Sequence, residues 1–235
     1  METFLLWIGT LGFIAATAYF AFLTTKASAG RHFFFITTAI VAVAAFSYLM
    51  MATGAGSTNI GSRIFYFFRY IDWLITTPLL LLDLALLAIA TPRSNVSLIA
   101  SLMALDVVMI LTGLLAGSRT SGFGRGFWFI VSTIALVALL YLLVTRIFQA
   151  ASNQPQSVSQ VFRTLANLTL VLWSLYPIVW LLGTEGFNAV GSTGEIFLFL
   201  ILDFLAKIGF GILLLTNRQA LGEIGGGQAQ SSRVS

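Results

Sequence analysis

Six ionisable side chains fall inside stretches otherwise greasy enough to cross a membrane: Arg69, Asp72, Asp83, Asp106, Asp203 and Lys207. An ionisable group in hydrocarbon costs a few kcal/mol even on lenient insertion scales, so it faces a bundle interior and marks a pathway or a site. One such group alone could be a packing hydrogen bond or a snorkelling end; six together need a use. Asp72, Thr76 and Asp83 are spaced by four and seven residues, which puts them on one helix face. The two carboxylates stand about 16 Å apart along the axis. Arg69 is one turn from Asp72 on the other side. Asp203 and Lys207 are four residues apart and stack on one face of the last apolar segment. Two acids, an arginine and a lysine around one point form a charge cluster that can be re-poised, and Asp83 about three turns away is a relay. That is the arrangement of a proton path.

Aromatic residues accompany the charges. "LWSLYPIVW" places Trp173, Tyr176 and Trp180 on one face, with Pro177 as a kink; Trp73 follows Asp72, and "FWFIVST" offers Trp128, Phe129, Ser132 and Thr133. An aromatic stripe by itself is ordinary core packing. Five large rings, these four tryptophans and Tyr176, available to surround one membrane-buried lysine point instead to a flat, conjugated ligand, and a lysine so placed can carry Schiff-base chemistry.

The elements that must position these groups are apolar helices. Of 235 residues, 58% are hydrophobic and 9% charged, with a mean hydropathy of +0.97. A soluble domain would carry about a quarter charged residues. The apolar runs far exceed the roughly 10 alternating residues of a barrel strand, so the expected fold is an all-α membrane protein, a bundle of seven transmembrane helices near 3–25, 33–53, 64–90, 95–116, 123–149, 160–183 and 194–216. "QAASNQPQSVSQ" reads as a polar linker between the fifth and sixth. Residues 1–220 form one domain without internal repeat, and 221–235 has the composition of a disordered cytoplasmic tail. With the N-terminus outside, the inner loops and tail hold Lys26, Arg31, Arg93, Arg146, Arg163, Arg218 and Arg233, the outer loops only Arg63, Arg119 and Arg125. This satisfies the positive-inside rule and predicts a cytoplasmic C-terminus. "METFLLWIGTLGFIAATAYF" starts with an acid and runs to spanning length, so it reads as a helix and not a signal peptide. The absence of cysteine and the single histidine, His32, exclude thiolate and multi-His metal sites. Scattered positive charge argues against nucleic-acid binding.

"RYIDWLITTPLLLLDLALL", "ANLTLVLWSLYPIVWLLGTEG" and "LDFLAKIGFG" resemble the third, sixth and seventh helices of microbial rhodopsins, and within them the bacteriorhodopsin-like proton pumps. The resemblance covers residues 4–223. It implies a multi-pass protein of the plasma membrane, an ion transporter and not an enzyme, with all-trans retinal bound covalently to Lys207 as a protonated Schiff base. It implies that Asp72 is the primary counterion and proton acceptor, Asp203 the second counterion with Arg69 just outside, and Tyr48 and Tyr176 the tyrosines bonded to Asp203. Asp83 matches the cytoplasmic proton donor, Thr37 the hydroxyl that bonds it, and Glu185 and Glu195 the outer release pair. Trp73, Thr77, Asp106, Met109, Trp128, Ser132, Thr133, Trp173, Tyr176, Pro177 and Trp180 match pocket positions, as does Phe129, which stands where the family has tryptophan. Leu136 replaces a pocket methionine and Val41 a helix proline. Phe129 is not the glycine of carotenoid-binding relatives, which disfavours an antenna carotenoid.

Asp72, Thr76 and Asp83 decide the subtype. Chloride pumps of the family lack the acceptor acid, sodium pumps carry an Asn-Asp-Gln pattern, and sensory members commonly lack the donor acid. Keeping both acids implies an outward proton pump with protons as the transported ion, membrane lipid as surroundings, no metal and no nucleic acid. Trimers are common among relatives, so the resemblance allows a homo-oligomer. The rival within the family is a photosensor signalling to a separate partner. An unrelated seven-helix transporter or receptor would share the topology without explaining Lys207, its acids and the tryptophans.

Overall fold

A computed structural model describes residues 1–231. Seven helices are long and apolar enough to cross a membrane: α1 (Glu2–Thr25), α2 (Arg31–Ala52), α3 (Phe67–Ala88), α4 (Val96–Gly117), α5 (Gly122–Ala151), α6 (Gln156–Leu182) and α7 (Gly191–Thr216). Each lies within a few residues of its expected span, because a run of about 20 apolar residues can satisfy its backbone in lipid only as a helix. Large apolar side chains such as Phe4, Phe22, Phe35, Ile134 and Val137 face outward and imply lipid contact, while the ionisable ones turn inward. α3 and α7 are the most buried helices and α5 the least. α3 packs against α2, α4 and α6, and α7 against α1, α2 and α6, so the two charged helices sit at the centre.

Local chemistry explains the departures from the expected spans. The third helix begins later than position 64, because residues before it form a hairpin of β1 (Thr58–Ile60) and β2 (Arg63–Phe65), paired Thr58 to Phe65 and Ile60 to Arg63. Gly61, at φ 62°, supplies the left-handed position of its two-residue turn. Arg63 ties the hairpin down by donating to the Gly117 carbonyl at the end of α4. The expected linker between α5 and α6 shrinks to residues 152–155, since buried Val158 and Val161 give "QSVSQ" a helical apolar face. The Thr-Thr-Pro of α3 does not end that helix. Thr76 donates back to the Asp72 carbonyl (2.8 Å), and Pro78, lacking an N–H, withholds a helical donor from only one carbonyl, that of Leu74. Where disorder was expected from 221, the backbone continues as α8 (Arg218–Ser231). Ala220 and Leu221 are buried, and Leu221 packs on Gly30, which pins the start of α8 to the α1–α2 loop. Residues 232–235 of that tail lie outside the described residues.

Two helices widen to π-helical turns, Leu143–Ile147 in α5 and Phe204–Gly209 in α7. Single π turns inside α-helices concentrate at functional sites, and the second contains Lys207. Close helix approach also serves the centre: Gly9 of α1 lies flat against the Tyr48 ring of α2, inside the reach of any Cβ. Gly9→Ala should therefore push Tyr48 aside and destabilise the fold by about 1–3 kcal/mol, the usual cost of overpacking. The check is the thermal midpoint of the purified protein, which should fall; an unchanged midpoint would mean that the α1–α2 contact yields freely.

Candidate functional site

Lys207 is 1% exposed and would be an unsupported cation in low dielectric but for two carboxylates. Asp72 of α3 and Asp203 of α7 both pair with it, Asp203 at 3.1 Å through the four-residue spacing on one helix. The acids differ in their other partners. Asp203 accepts from Tyr48 of α2 (2.9 Å), Tyr176 of α6 (2.8 Å) and Trp73 of α3 (3.3 Å). Asp72 Oδ2 faces the lysine, and its buried Oδ1 has no partner among the described residues. Asp203 is thus fixed by three helices, whereas Asp72 keeps an open oxygen.

A cavity of about 750 Å³ runs from Lys207. Trp73, Thr77, Met109, Phe129, Ser132, Thr133, Trp173, Tyr176, Pro177 and Trp180 line it. Phe129 stacks on Trp180 with centroids 4.7 Å apart, so the smaller ring still closes that wall. Two implied pocket residues do not line the cavity. Asp106 stands behind Thr77, accepting its hydroxyl at 2.7 Å. Trp128 is turned to Phe127 and is half-buried on the less buried α5. Tyr70, Leu80, Ile110, Gly113 and Ala206 line it unforeseen. Tyr70, Trp73 and Thr77 recur at helical spacing, so the period of α3 was the available signal for Tyr70. An apolar slot with stacked rings and, among the described residues, Lys207 as its one charged lining residue fits a long, flat polyene attached to that lysine.

Arg69 does not join the central cluster as its spacing suggested. Its Nη1 pairs with Glu195 Oε1 at 2.6 Å, and the guanidinium lies 4.3 Å from the Phe199 ring centroid. A helical side chain leans toward the N-terminus of its own helix. From the first turn of α3 that direction carries the guanidinium away from Asp72 toward the start of α7. Glu195 Oε2 accepts from the backbone and hydroxyl of Thr184, each at 2.7 Å. Glu185 accepts from Tyr70 (2.7 Å), whose hydroxyl accepts from Trp180 Nε1 (2.8 Å). The two glutamates share no direct hydrogen bond among the described residues: Arg69 and Thr184 bond Glu195, and Tyr70 bonds Glu185. Burial first, then the neighbouring Glu195, pushes Glu185 up to about 7, against the pull of Arg69 and Tyr70. Tyr70 and Thr184 were missed in these roles, because "RYID" and "GTEG" announce only their charged members.

At the other end of α3, Asp83 is fully buried and accepts from Thr37 at 3.2 Å, and its Oδ1 has no partner among the described residues. Thr76 lies between the two acids but bonds the backbone and neither carboxylate. Asp72 and Asp83 are therefore separate stations on one helix face.

The model of bacteriorhodopsin-like proteins matches residues 1–221. Bacteriorhodopsin of Haloterrigena sp. (strain arg-4) is 43% identical over 233 residues, covering 94% of this chain and 89% of that protein. The crystal structure of thermophilic rhodopsin from Rubrobacter xylanophilus is 60% identical with a TM-score of 0.95, over 96% of this chain and 100% of that one. A light-driven proton pump from Leptosphaeria maculans, 34% identical, has a TM-score of 0.86 over 95% and 96% of the two chains. With seven spanning helices, a lysine held between two carboxylates and these similarities over nearly its whole length, the chain belongs to the bacteriorhodopsin-like family and is a multi-pass membrane protein.

Proposed function

We propose that this chain is a light-driven outward proton pump of the plasma membrane, carrying all-trans retinal on Lys207 as a protonated Schiff base. The observation that carries the reading is the pair of buried carboxylates on α3, one against Lys207 and the other held by Thr37 well toward the opposite end. The bundle over residues 1–220 is the retinal-binding domain, with the N-terminus outside and the C-terminus cytoplasmic, as the distribution of basic residues supports.

Retinal, when bound, supplies light absorption and a change of shape that redirects the Lys207 nitrogen. Asp72 is the acceptor. Taking the proton from that nitrogen neutralises both members of an ion pair, which costs less in low dielectric than separating them. Asp203, fixed by Tyr48, Tyr176 and Trp73, holds the nitrogen in place during the exchange. Arg69 is the outward link: with Asp72 neutral, its attraction falls wholly on Glu195 and Glu185, from which a proton leaves. Asp83 then gives its proton to the Lys207 nitrogen and refills from the cytoplasm. Each cycle moves one charge across the membrane, storing about 2.3 kcal/mol per 100 mV.

The test is the pH of an unbuffered suspension of retinal-fed cells expressing the chain. Light should acidify the medium, a protonophore should abolish the change, and Asp72→Asn should eliminate it. A coloured, inserted protein that leaves the pH unchanged would favour a photosensor, and alkalinisation enhanced by the protonophore would indicate another ion. In flash spectroscopy, Asp83→Asn should slow reprotonation of the Lys207 nitrogen at least 10-fold, increasingly so at high pH; a late cycle at the normal rate would assign the donor elsewhere. Glu185 gives a pH signature. A carboxyl raised to about 7 binds its proton more tightly folded than unfolded, so its stabilising contribution is complete below the ordinary glutamate range and lost as pH rises through about 7. The thermal midpoint should fall between pH 5 and 8, and Glu185→Gln should flatten that slope; an equally steep slope in the variant would assign it to another group.

A further inference from the structure

A hydroxyl buried in an apolar helix ordinarily bonds back to its own backbone. Thr10 (2.9 Å), Thr24 (2.8 Å), Thr76 (2.8 Å) and Thr169 (2.9 Å) each donate to the carbonyl four residues earlier. Among the described residues two buried hydroxyls depart from this, and both are on α2. Thr37 turns to Asp83 of α3, at 3.2 Å. Ser47, 1% exposed, has no partner among the described residues. A buried hydroxyl that gives up the bond its own helix offers needs a partner elsewhere, because leaving it unmet is costly.

Helix geometry gives the direction in which Ser47 points. Thr38, nine residues earlier, stands half a turn round α2, and its hydroxyl meets that of Thr24 on α1 at 3.4 Å. Ser47 therefore points away from α1. α3 packs on that side: the ring of Phe46 lies 6.0 Å from that of Phe68, one turn before Asp72. The level matches as well. From the Thr37–Asp83 bond, Ser47 is ten residues along α2 and Asp72 eleven residues back along α3. In neighbouring spans of opposite direction these are rises of about 15 Å and about 16.5 Å. Ser47 thus faces α3 at the height of Asp72, whose buried Oδ1 also has no partner among the described residues. The next residue, Tyr48, bonds Asp203 at 2.9 Å. α2 carries one hydroxyl toward each of Asp83, Asp72 and Asp203.

We infer that Ser47 is the hydrogen-bond partner of Asp72 Oδ1, reached directly or across one water, and that it holds Asp72 ionised in the resting protein. The inference rests on the reading of Asp72 as proton acceptor. A hydroxyl donates more strongly to a carboxylate than to a neutral carboxyl, so Ser47 favours the form of Asp72 that can accept. In each cycle one proton passes from the Lys207 nitrogen to Asp72, and one leaves Asp72 before the next; no electron is transferred. Ser47 acts on the second step, drawing the carboxyl back to its ionised form. It works through Asp72, as a positioning residue. The other charged and titratable groups around Asp72 are Lys207 and Asp203 on α7, Tyr48 on α2 and Arg69 on α3, and none of them bonds Oδ1.

The test is time-resolved infrared spectroscopy of the retinal-bound pigment in nanodiscs. It follows the carboxyl C=O stretch that rises when Asp72 takes its proton and decays when it loses it. In Ser47→Ala that band should move to higher frequency, as a carboxyl relieved of a hydrogen bond does. It should also decay about 10-fold more slowly, the low end for losing one hydrogen bond to a charged group. The Asp83 carboxyl band should keep its frequency, which separates a local contact from a general loosening of α2. Water labelled with heavy oxygen distinguishes the two forms of the contact. A water O–H stretch that the label shifts and Ser47→Ala removes means one bridging water; a moved C=O band without it means a direct bond. An Asp72 band that stays in place in Ser47→Ala, or decays at the unmodified rate, overturns the inference alone. An unmodified pigment in which light raises no Asp72 carboxyl band overturns the acceptor reading and this inference together.

Discussion

A lysine cation buried between two carboxylates is the constraint on which the rest of this structure depends. Lys207, Asp72 and Asp203 are each about 1% exposed, so their charges are stable only together. Removing one partner from such a group leaves an unpaired buried charge, which typically costs several kcal/mol. The cost shapes the bundle. α3 and α7 must meet at its centre to bring Asp72 to Lys207, and α2 and α6 must approach closely enough for Tyr48 and Tyr176 to reach Asp203. Glycine at position 9 lets α1 close over Tyr48. Four helices are thereby tied to one group of atoms.

The two halves of the interior on either side of this group are built differently. At the end where α3 and α7 begin, ion pairs and hydrogen bonds run from Arg69 through Glu195 to Thr184, and separately from Trp180 through Tyr70 to Glu185. Toward the other end, the side-chain oxygens of Asp83 and Thr37 bond only each other among the described residues, and their neighbours on α3, Leu80 and Leu84, are buried and apolar. A continuous polar network can pass a change in charge along fixed contacts. An apolar layer denies protons a standing route and must be opened before one crosses. In the pump proposed above, this asymmetry would give easy exit on one side and controlled entry on the other.

The cavity beside Lys207 belongs to the same design. Its walls come from α3 to α7, and its polar contacts are turned away from the slot: Ser132 donates to the Met109 carbonyl and Thr77 to Asp106. The lining is left apolar and aromatic with one charged end. Phe129 keeps the wall closed by stacking on Trp180.

The seven spans were legible in the sequence because each is a run that lipid accepts only as a helix. So was the inward placement of the charges, since hydrocarbon leaves them nowhere else to go. The four-residue spacing brought Asp203 beside Lys207 by helix geometry alone, and the resemblance supplied Asp72, Tyr48, Tyr176 and the Thr37–Asp83 pair. Features decided between helices were not legible. Spacing grouped Arg69 with Asp72, but its reach of several ångströms takes it to Glu195, a choice set by where α7 begins. Tyr70 and Thr184 are uncharged and declare nothing until Glu185 and Glu195 stand beside them. The resemblance put Trp128 and Asp106 at the pocket, but Asp106 stands behind Thr77 and Trp128 lies against Phe127. The short hairpin and the start of α8 also depend on distant partners, Gly117 for one and Gly30 for the other. Local sequence determines which segments are helical and which residues cannot face lipid, because both follow from backbone and side-chain solvation within one segment. Which buried groups touch is settled only when the helices pack, because a hydrogen bond requires two partners and the second comes from elsewhere in the chain.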